Sequence, residues 1–209
     1  MNGRENSFFE LALKAEALLL GDFTLKSGRK SPYFFNISSF LELGLISELS
    51  NLYVNLIEEE SIEFDVIFGP AYKGIPLAAA VATTMSERTS NPVSISFDRK
   101  EEKKHGEGGK LIGSVEKKKV LILDDVLTAG TALNQSIDLV REMGGEVVSS
   151  VIALDREEFV DGVLARDLIA EKTNSKLLSI ATISHLVDFF NQTNKKEEAL
   201  IIQDHLSKR

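Results

Sequence analysis

Apolar residues along the chain fall into short continuous runs and into stretches with helical spacing. Four runs predict the strands of a core sheet, and they are residues 66–68, 93–97, 120–123 and 147–154. The run 120–123 has no alternation of apolar and polar residues, as expected of a strand covered on both faces in a parallel sheet. Helical spacing predicts helices at 6–20, 45–60, 74–87, 132–143, 184–192 and 196–206. Shorter strands are predicted at 23–25, 33–37 and 177–183.

This alternation of strands and helices predicts one α/β domain over residues 1–209, with a central, mostly parallel sheet between helices. A chain of 209 residues suits a single domain. Ligands of open α/β sheets bind outside the carboxyl ends of the strands. Polar loops at those ends are therefore the first candidates for a functional site.

Composition narrows the class of protein. The formal net charge of -8 argues against a nucleic-acid partner held through phosphate contacts. Cysteine is absent, which excludes disulfides and thiolate metal sites and fits a reducing, cytoplasmic location. No apolar stretch is long enough for a membrane span and no signal-peptide pattern is present, so we expect no membrane contact.

The apolar run 120–123 leads into two adjacent acids, Asp124 and Asp125, which we expect to emerge where the strand stops. The following small-residue turn, 128–132, can surround an anion with backbone N–H groups and hydroxyls just before a helix begins near Leu133. Together these features indicate a ligand that carries both hydroxyls and phosphate. An ordinary strand-to-helix turn with an Asp cap is the alternative.

Segment 120–132 resembles the phosphoribosyl pyrophosphate (PRPP) signature of type I phosphoribosyltransferases, in which four apolar residues, two acids and two apolar residues precede a Thr/Gly-rich turn. The resemblance implies that the acids lie at the ribose hydroxyls and that the turn receives the 5-phosphate. It assigns to PRPP binding Asp124, Asp125, Val126, Leu127, Thr128, Ala129, Gly130, Thr131 and Ala132. The acid pair could instead chelate a metal, but no third ligand follows from spacing, and we expect Mg²⁺ to be held mainly by PRPP oxygens.

A second candidate loop, Gly-Pro-Ala-Tyr-Lys-Gly at 69–74, joins a strand to an Ala-rich helix. Its Gly and Pro residues permit a tight bend, and the helix N-terminus adds positive potential. In the family this loop binds pyrophosphate, which implies contacts from Tyr72 and Lys73. A plain turn with an exposed lysine is the alternative.

The third candidate, residues 98–110, is highly charged and rich in glycine toward its end. The residues alone favour a solvated loop, although a mobile cationic lid would suit a polyanionic leaving group. Its Arg-Lys-x-x-Lys-x-His-Gly pattern is similar to the catalytic loop of orotate phosphoribosyltransferases. That likeness implies a homodimer in which the loop reaches the neighbouring active site and contacts pyrophosphate through Arg99, Lys100, Lys103 and His105. It also makes Lys103 the catalytic cation beside the acid pair. Asp98 departs from the pattern, which more typically has an uncharged residue there.

Residues 23–36 resemble the hood motif of the same family, a small subregion expected from about residues 1–40 plus C-terminal elements. The resemblance implies orotate contacts from Lys26, which would also contact PRPP, and from Phe34, Phe35, Thr128 and Arg156. Aromatic packing and a bidentate guanidinium suit a flat pyrimidine carboxylate. The alternatives are core packing for the two aromatic residues and a surface salt bridge for Arg156.

The motifs occur in order over residues 23–156, and together they imply an orotate phosphoribosyltransferase. Such an enzyme would use Mg²⁺, orotate and PRPP to form orotidine 5′-monophosphate and pyrophosphate in pyrimidine biosynthesis. A PRPP-sensing regulator is one rival, but it would need neither the lid cations nor the hood. A transferase acting on a purine or on uracil is another, although its base would offer Lys26 and Arg156 no carboxylate.

Overall fold

The computed structural model of the chain describes residues 3–24, 28, 30–103 and 109–208, with the backbone alone at 100–103. Its helices are α1 Gly3–Lys14, α2 Ser38–Glu42, α3 Ile46–Glu59, α4 Gly74–Thr89, α5 Thr131–Glu142, α6 Ala165–Thr173, α7 Ile183–Gln192 and α8 Lys196–Ser207. Its strands are β1 Leu18–Thr24, β2 Lys30–Phe35, β3 Val66–Phe68, β4 Ser94–Lys103, β5 Gly109–Ile112, β6 Lys119–Leu127, β7 Glu146–Asp155, β8 Phe159–Val160, β9 Val163–Leu164 and β10 Lys176–Thr182. No helix within the described ranges has the length and apolar character needed to cross a bilayer.

Six strands form the central sheet in the order β10-β7-β6-β3-β4-β5. All neighbours are parallel except β5, which runs antiparallel to β4. The apolar strands lie in the middle of the sheet and are buried, as their continuous runs predict. The predicted α/β fold with a mostly parallel sheet is therefore confirmed.

The sheet has a topological switch point between β3 and β6. The chain continues from β3 to its neighbour β4 on one side, then returns to place β6 on the other side of β3. Connections leaving β3 and β6 therefore diverge, which opens a crevice at the carboxyl edge of the sheet. The loops that follow these two strands, 69–74 and 128–132, border this crevice.

The N-terminal helix is shorter than the predicted 6–20. It ends at Lys14, and Leu18, Leu19 and Leu20 belong to β1, where they pair with β2 in a separate antiparallel hairpin. Local spacing could not decide between helix and strand for this short apolar run, so the tertiary partner decided. Sequence spacing also missed five short elements: α2, β5, β8, β9 and α6.

Residues 98–110 are not simply a loop. Strand β4 continues to Lys103 and pairs with β5, with Asp98 opposite Leu111. The continuous run of charged residues at 98–103 gives no apolar pattern from which a strand could be predicted, so pairing with β5 decides its conformation. The predicted segment is thus largely the two arms of a hairpin.

The prediction that the two acids follow the end of their strand is also wrong. Strand β6 continues to Leu127 because its pairing with β7 extends past both acids. Its pairing with β3, however, ends at Phe68 and Ile122. Asp124 and Asp125 therefore lie on the part of β6 that is still paired with β7 but extends beyond the end of β3.

Candidate active site

The acid pair and the loop after β3 meet in the crevice between β3 and β6. Lys73 Nζ lies 3.2 Å from Asp125 Oδ2, which joins two segments separated by 52 residues in sequence. The backbone N–H of Asp125 donates to Asp124 Oδ1 at 2.9 Å. Because Lys73 is about half exposed, its ion pair contributes less than about 1 kcal/mol to stability and can open for a ligand.

Asp124 carries a carboxyl group that resists ionisation. Burial, followed by the nearby negative charge of Asp125, raises the pKa of Asp124 from its ordinary 3.8 to about 7. A buried carboxylate beside another acid is short of both solvation and countercharge. The pair is therefore suited to accept hydrogen bonds from hydroxyl groups, or to face a cation, because either would stabilise the ionised carboxylates.

Tyr53, on α3, forms a hydrogen bond to the main chain of the acid pair. It is fully buried on α3, and its hydroxyl donates to the main-chain carbonyl of Asp124 at 2.7 Å. Burial, with smaller contributions from Asp125 and then Asp124, raises the pKa of Tyr53. The phenol therefore remains a hydrogen-bond donor at neutral pH and fixes the strand at the acids. No sequence motif indicated this residue, because helical spacing marks Tyr53 only as part of a core face.

The 69–74 turn is closed so tightly that its glycines are needed. A Cβ atom added to Gly69 would lie 2.1 Å from the Gly74 carbonyl oxygen, and one added to Gly74 would lie 2.6 Å from Pro70 Cδ. The Ala71–Tyr72 peptide bond in this turn is cis. At the tip of the turn, Tyr72 is 62% exposed and Lys73 reaches Asp125.

The 128–132 turn leads directly into α5. Gly130 has φ +78°, a left-handed conformation that favours glycine, and the helix begins at Thr131. Thr128, Ala129 and Thr131 are exposed at this helix N-terminus, where backbone N–H groups can receive an anion. Val126 and Leu127 differ from them: Val126 is partly buried against the core and Leu127 is 1% exposed, so both side chains pack inward.

Arg156 is buried rather than exposed at the end of β7. Its Nε lies 3.1 Å from Glu158 Oε1, and its Nη2 donates to Ser31 Oγ at 3.2 Å. The guanidinium lies over the ring of Tyr33, 4.6 Å from its centroid. The main-chain N–H of Arg156 also donates to the main-chain carbonyl of Leu127 at 3.1 Å. Arg156 therefore connects the β1–β2 hairpin with the end of β6, beside the 128–132 turn. Its salt bridge to the neighbouring acid Glu158 is buried, so the alternative of a salt bridge at the surface is wrong.

Comparison with known proteins agrees with this architecture. A family model described as phosphoribosyl transferase domain matches residues 43–167. The orotate phosphoribosyltransferase of Stenotrophomonas maltophilia (strain R551-3) is 46% identical over 193 residues, covering 90% of this chain and 88% of that protein. The chain belongs to the orotate phosphoribosyltransferase family. The Kluyveromyces lactis enzyme of the same name is 44% identical over 203 residues, covering 93% and 90% of the two chains.

Structural similarity extends over nearly the whole fold. The crystal structure of the Francisella tularensis orotate phosphoribosyltransferase matches with a TM-score of 0.84 and 33% identity, covering 96% of this chain and 94% of that one. The type I phosphoribosyltransferase fold expected from the motifs is therefore confirmed. The family-model match includes the crevice residues of β6 and the 69–74 turn, whereas the β1–β2 hairpin lies before it.

The two hood aromatics of this orotate phosphoribosyltransferase family member have different surroundings. Phe34 is 40% exposed and stacks near Phe23, with ring centroids 5.6 Å apart. Phe35 is 6% exposed and packs between Phe8 and Phe40 in the core. The observed packing gives Phe35 the core role that the sequence had left as an alternative, and it leaves Phe34 available to a ligand.

Several predicted site residues cannot be placed with the others. Lys26 and His105 lie outside the described residues, as do the side chains of Lys100 and Lys103. Arg99 is described and partly buried on β4, and its Nε atom is buried without a hydrogen-bond partner in the described part of the chain. Strand β4 is paired with β3, and Arg99 lies beyond the last paired residue, Ser96, at the end of the sheet where the 69–74 turn begins.

Proposed function

We propose that this family member transfers ribose 5-phosphate from PRPP to N1 of orotate, forming orotidine 5′-monophosphate and pyrophosphate. The observation that carries the proposal is the contact of Lys73 with the Asp124–Asp125 pair, on the strand that leads through residues 128–130 into the N-terminus of α5. A cation, two hydroxyl acceptors and a phosphate cradle match the pyrophosphate, ribose and 5-phosphate of one donor molecule. The proposal is also supported by relatives that match most of the chain and are named orotate phosphoribosyltransferases.

The proposed chemistry needs no protein nucleophile. Asp124 and Asp125 accept hydrogen bonds from the ribose hydroxyls, and residues 128–132 hold the 5-phosphate, so that the anomeric carbon faces the incoming base. Lys73 and the cations of β4 stabilise the negative charge that accumulates on the departing pyrophosphate. Catalysis then depends on alignment and on charge stabilisation.

Mg²⁺ dependence is part of the same proposal. The hard carboxylate oxygens of Asp124 and Asp125 suit Mg²⁺. The raised pKa of Asp124 means that its ionised form is disfavoured, and a nearby cation would favour that form. Bound mainly by PRPP oxygens, Mg²⁺ would neutralise pyrophosphate charge. Within the described ranges, no group of three or more Asp, Glu or His side chains is arranged to hold a metal ion.

The acceptor would bind between the β1–β2 hairpin and the end of β7. Arg156 and Phe34 are the described candidates there, and Lys26 remains a candidate from the sequence. Arginine can pair with a carboxylate through two parallel hydrogen bonds, which distinguishes orotate from uracil. Thr128 is exposed at the neighbouring turn, so it is available to the base as well as to the phosphate.

Neutralising Arg156 together with its partner tests this acceptor site. Arg156→Gln alone would remove one charge of a buried ion pair with Glu158, so the variant to make combines Arg156→Gln with Glu158→Gln. We expect KM for orotate to rise about 10- to 100-fold, the range for losing a charged hydrogen bond, with KM for PRPP unchanged. The surface pair Lys172→Gln with Asp138→Asn is the control. An equal rise in both KM values would contradict an orotate-specific role.

We also propose that the enzyme is a homodimer in which the β4–β5 hairpin contributes cations to the neighbouring active site. The support is that this hairpin lies at one edge of the sheet and carries the cationic motif. An edge hairpin can extend beyond its own subunit without disturbing the core.

The experiment that tests the proposed reaction follows orotate absorbance in the presence of PRPP and Mg²⁺. We expect orotate to be consumed only when both are present, with pyrophosphate formed in equal amount. Uracil and hypoxanthine in place of orotate should give no product. Absence of orotate consumption, or faster reaction with either other base, would overturn the assignment.

A further inference from the structure

A carboxylate occupies an unexpected position beside the pyrophosphate turn, defined here as residues 69–74. Asp98 Oδ1 accepts a hydrogen bond from the backbone N–H of Ala71 at 2.6 Å. The interaction is partly buried and joins positions 27 residues apart. Asp98 immediately precedes Arg99, so the bond connects the turn that carries Lys73 to the strand that carries the predicted lid cations.

The charge of Asp98 does not by itself help a loop that receives a polyanion. A carboxylate this close to the turn repels pyrophosphate, and it also occupies one backbone N–H that an anion could use. What the carboxylate supplies is an oxygen that accepts a hydrogen bond from the Ala71 N–H. Its contribution must therefore come from the position in which it holds the turn.

Strand β4 is fixed well enough to serve as the support. Gly69 N–H donates to the Ser96 carbonyl at 3.0 Å, which attaches the start of the turn to the strand. The Ser96 hydroxyl donates to the Ile112 carbonyl at 3.0 Å, which attaches the strand to β5. Asp98 extends this attachment two residues further along both segments, to the middle of the turn.

We propose that Asp98 is a positioning residue that holds the pyrophosphate turn against β4. Its acceptor oxygen keeps Lys73 on the turn and Arg99 on the strand in one relative geometry, so that both meet the same pyrophosphate group. The role depends on the acceptor atom and not on the negative charge. The inference rests on the proposed function, because it assumes that this turn receives pyrophosphate.

Two substitutions separate the acceptor from the charge. Asp98→Ala removes both, whereas Asp98→Asn keeps an oxygen acceptor and removes only the charge. Asp188→Ala, at an exposed carboxylate on α7, is a control with the same change in net charge. The measurements are the Kd for magnesium pyrophosphate by calorimetry, the KM values for PRPP and orotate, and the midpoint of thermal unfolding.

For Asp98→Ala we expect the pyrophosphate Kd and the PRPP KM to rise about tenfold, corresponding to one lost hydrogen bond, with the orotate KM unchanged. Asp98→Asn should restore both values to within about threefold of the parent protein, or bind pyrophosphate more tightly because repulsion is removed. Asp188→Ala should match the parent protein.

The proposal is overturned if Asp98→Ala binds pyrophosphate as well as the parent protein, or if Asp98→Asn binds as weakly as Asp98→Ala. A similar weakening of orotate binding would also overturn it, since that indicates general loss of structure. If the parent protein itself binds no pyrophosphate, the proposed function fails, which is a different result from parent-like binding by the variants.

Discussion

Asp124→Asn is expected to stabilise the fold at pH 8 while removing most of the activity. Burial and the charge of Asp125 raise the pKa of Asp124 to about 7 in the folded protein, against 3.8 as its ordinary value. The folded state therefore binds the proton more strongly than the unfolded state, so ionisation destabilises the fold. This destabilisation is fully present above pH 7 and disappears as the pH falls from about 7 to about 4.

An amide at this position has no charge to bury but keeps an oxygen that accepts the Asp125 N–H. We expect a gain of about 1 to 2 kcal/mol at pH 8, or roughly 3–6 °C in the unfolding midpoint. At pH 4 the gain should vanish. The same substitution weakens the acceptor for a ribose hydroxyl, so kcat/KM for PRPP should fall about 100-fold.

Thermal unfolding at pH 8 and at pH 4, together with steady-state kinetics, checks both parts of this prediction. Asp138→Asn is a suitable control, because Asp138 lies on the surface, with 60% of its side chain exposed, beside Lys172. We expect little change in its stability or activity. A stability gain for Asp124→Asn that is equal at both pH values would refute the electrostatic cause.

Lys103→Ala is expected to lower kcat about 100- to 1000-fold, the usual loss when one donor to developing charge is removed. Binding of PRPP should weaken much less, because the contact is strongest after the bond to pyrophosphate has begun to break. The test compares kcat with the Kd for PRPP. Lys110→Ala is the matched control on the same hairpin, since Lys110 pairs with Glu142. Equal losses in turnover and binding would exclude a transition-state role.

The Lys103→Ala variant also tests whether each active site contains residues of both subunits. If Lys103 acts in the neighbouring subunit, mixing Lys103→Ala with Asp124→Asn creates hybrid dimers in which one of two sites has both parent residues. Random exchange should then restore about one quarter of the parent activity. If mixing restores nothing while the subunits exchange, each site uses its own Lys103.

The sequence was most informative where a local pattern corresponds directly to one structure. Continuous apolar runs identified the central strands because a strand covered on both faces requires them. The Gly-rich 69–74 turn could be recognised because its backbone closes too tightly for a Cβ at Gly69 or Gly74. Local spacing failed at residues 18–20 and 98–103, where pairing with another strand decides the conformation.

The predicted site residues also divide into those that local motifs identified and those whose surroundings only the fold decided. The motifs identified Lys73, Asp124, Asp125 and the 128–132 turn, and the fold brings the first three together. No pattern indicated that Arg156 would be buried against Glu158, Ser31 and Tyr33. Phe34 and Phe35 are neighbours in one motif, yet successive residues of a strand point to opposite sides, so one is exposed and the other lies in the core.

The sequence by itself determined the family, the positions of the main strands along the chain and the charged residues that follow those strands. These follow from local apolar patterns and from motifs, each contained in a short segment. Only the tertiary structure decided that β6 passes beyond β3 at the acid pair, that Tyr53 supports Asp124 and that Asp98 holds Ala71. The physical reason is that pairing, burial and hydrogen bonds between distant segments depend on how the whole chain packs.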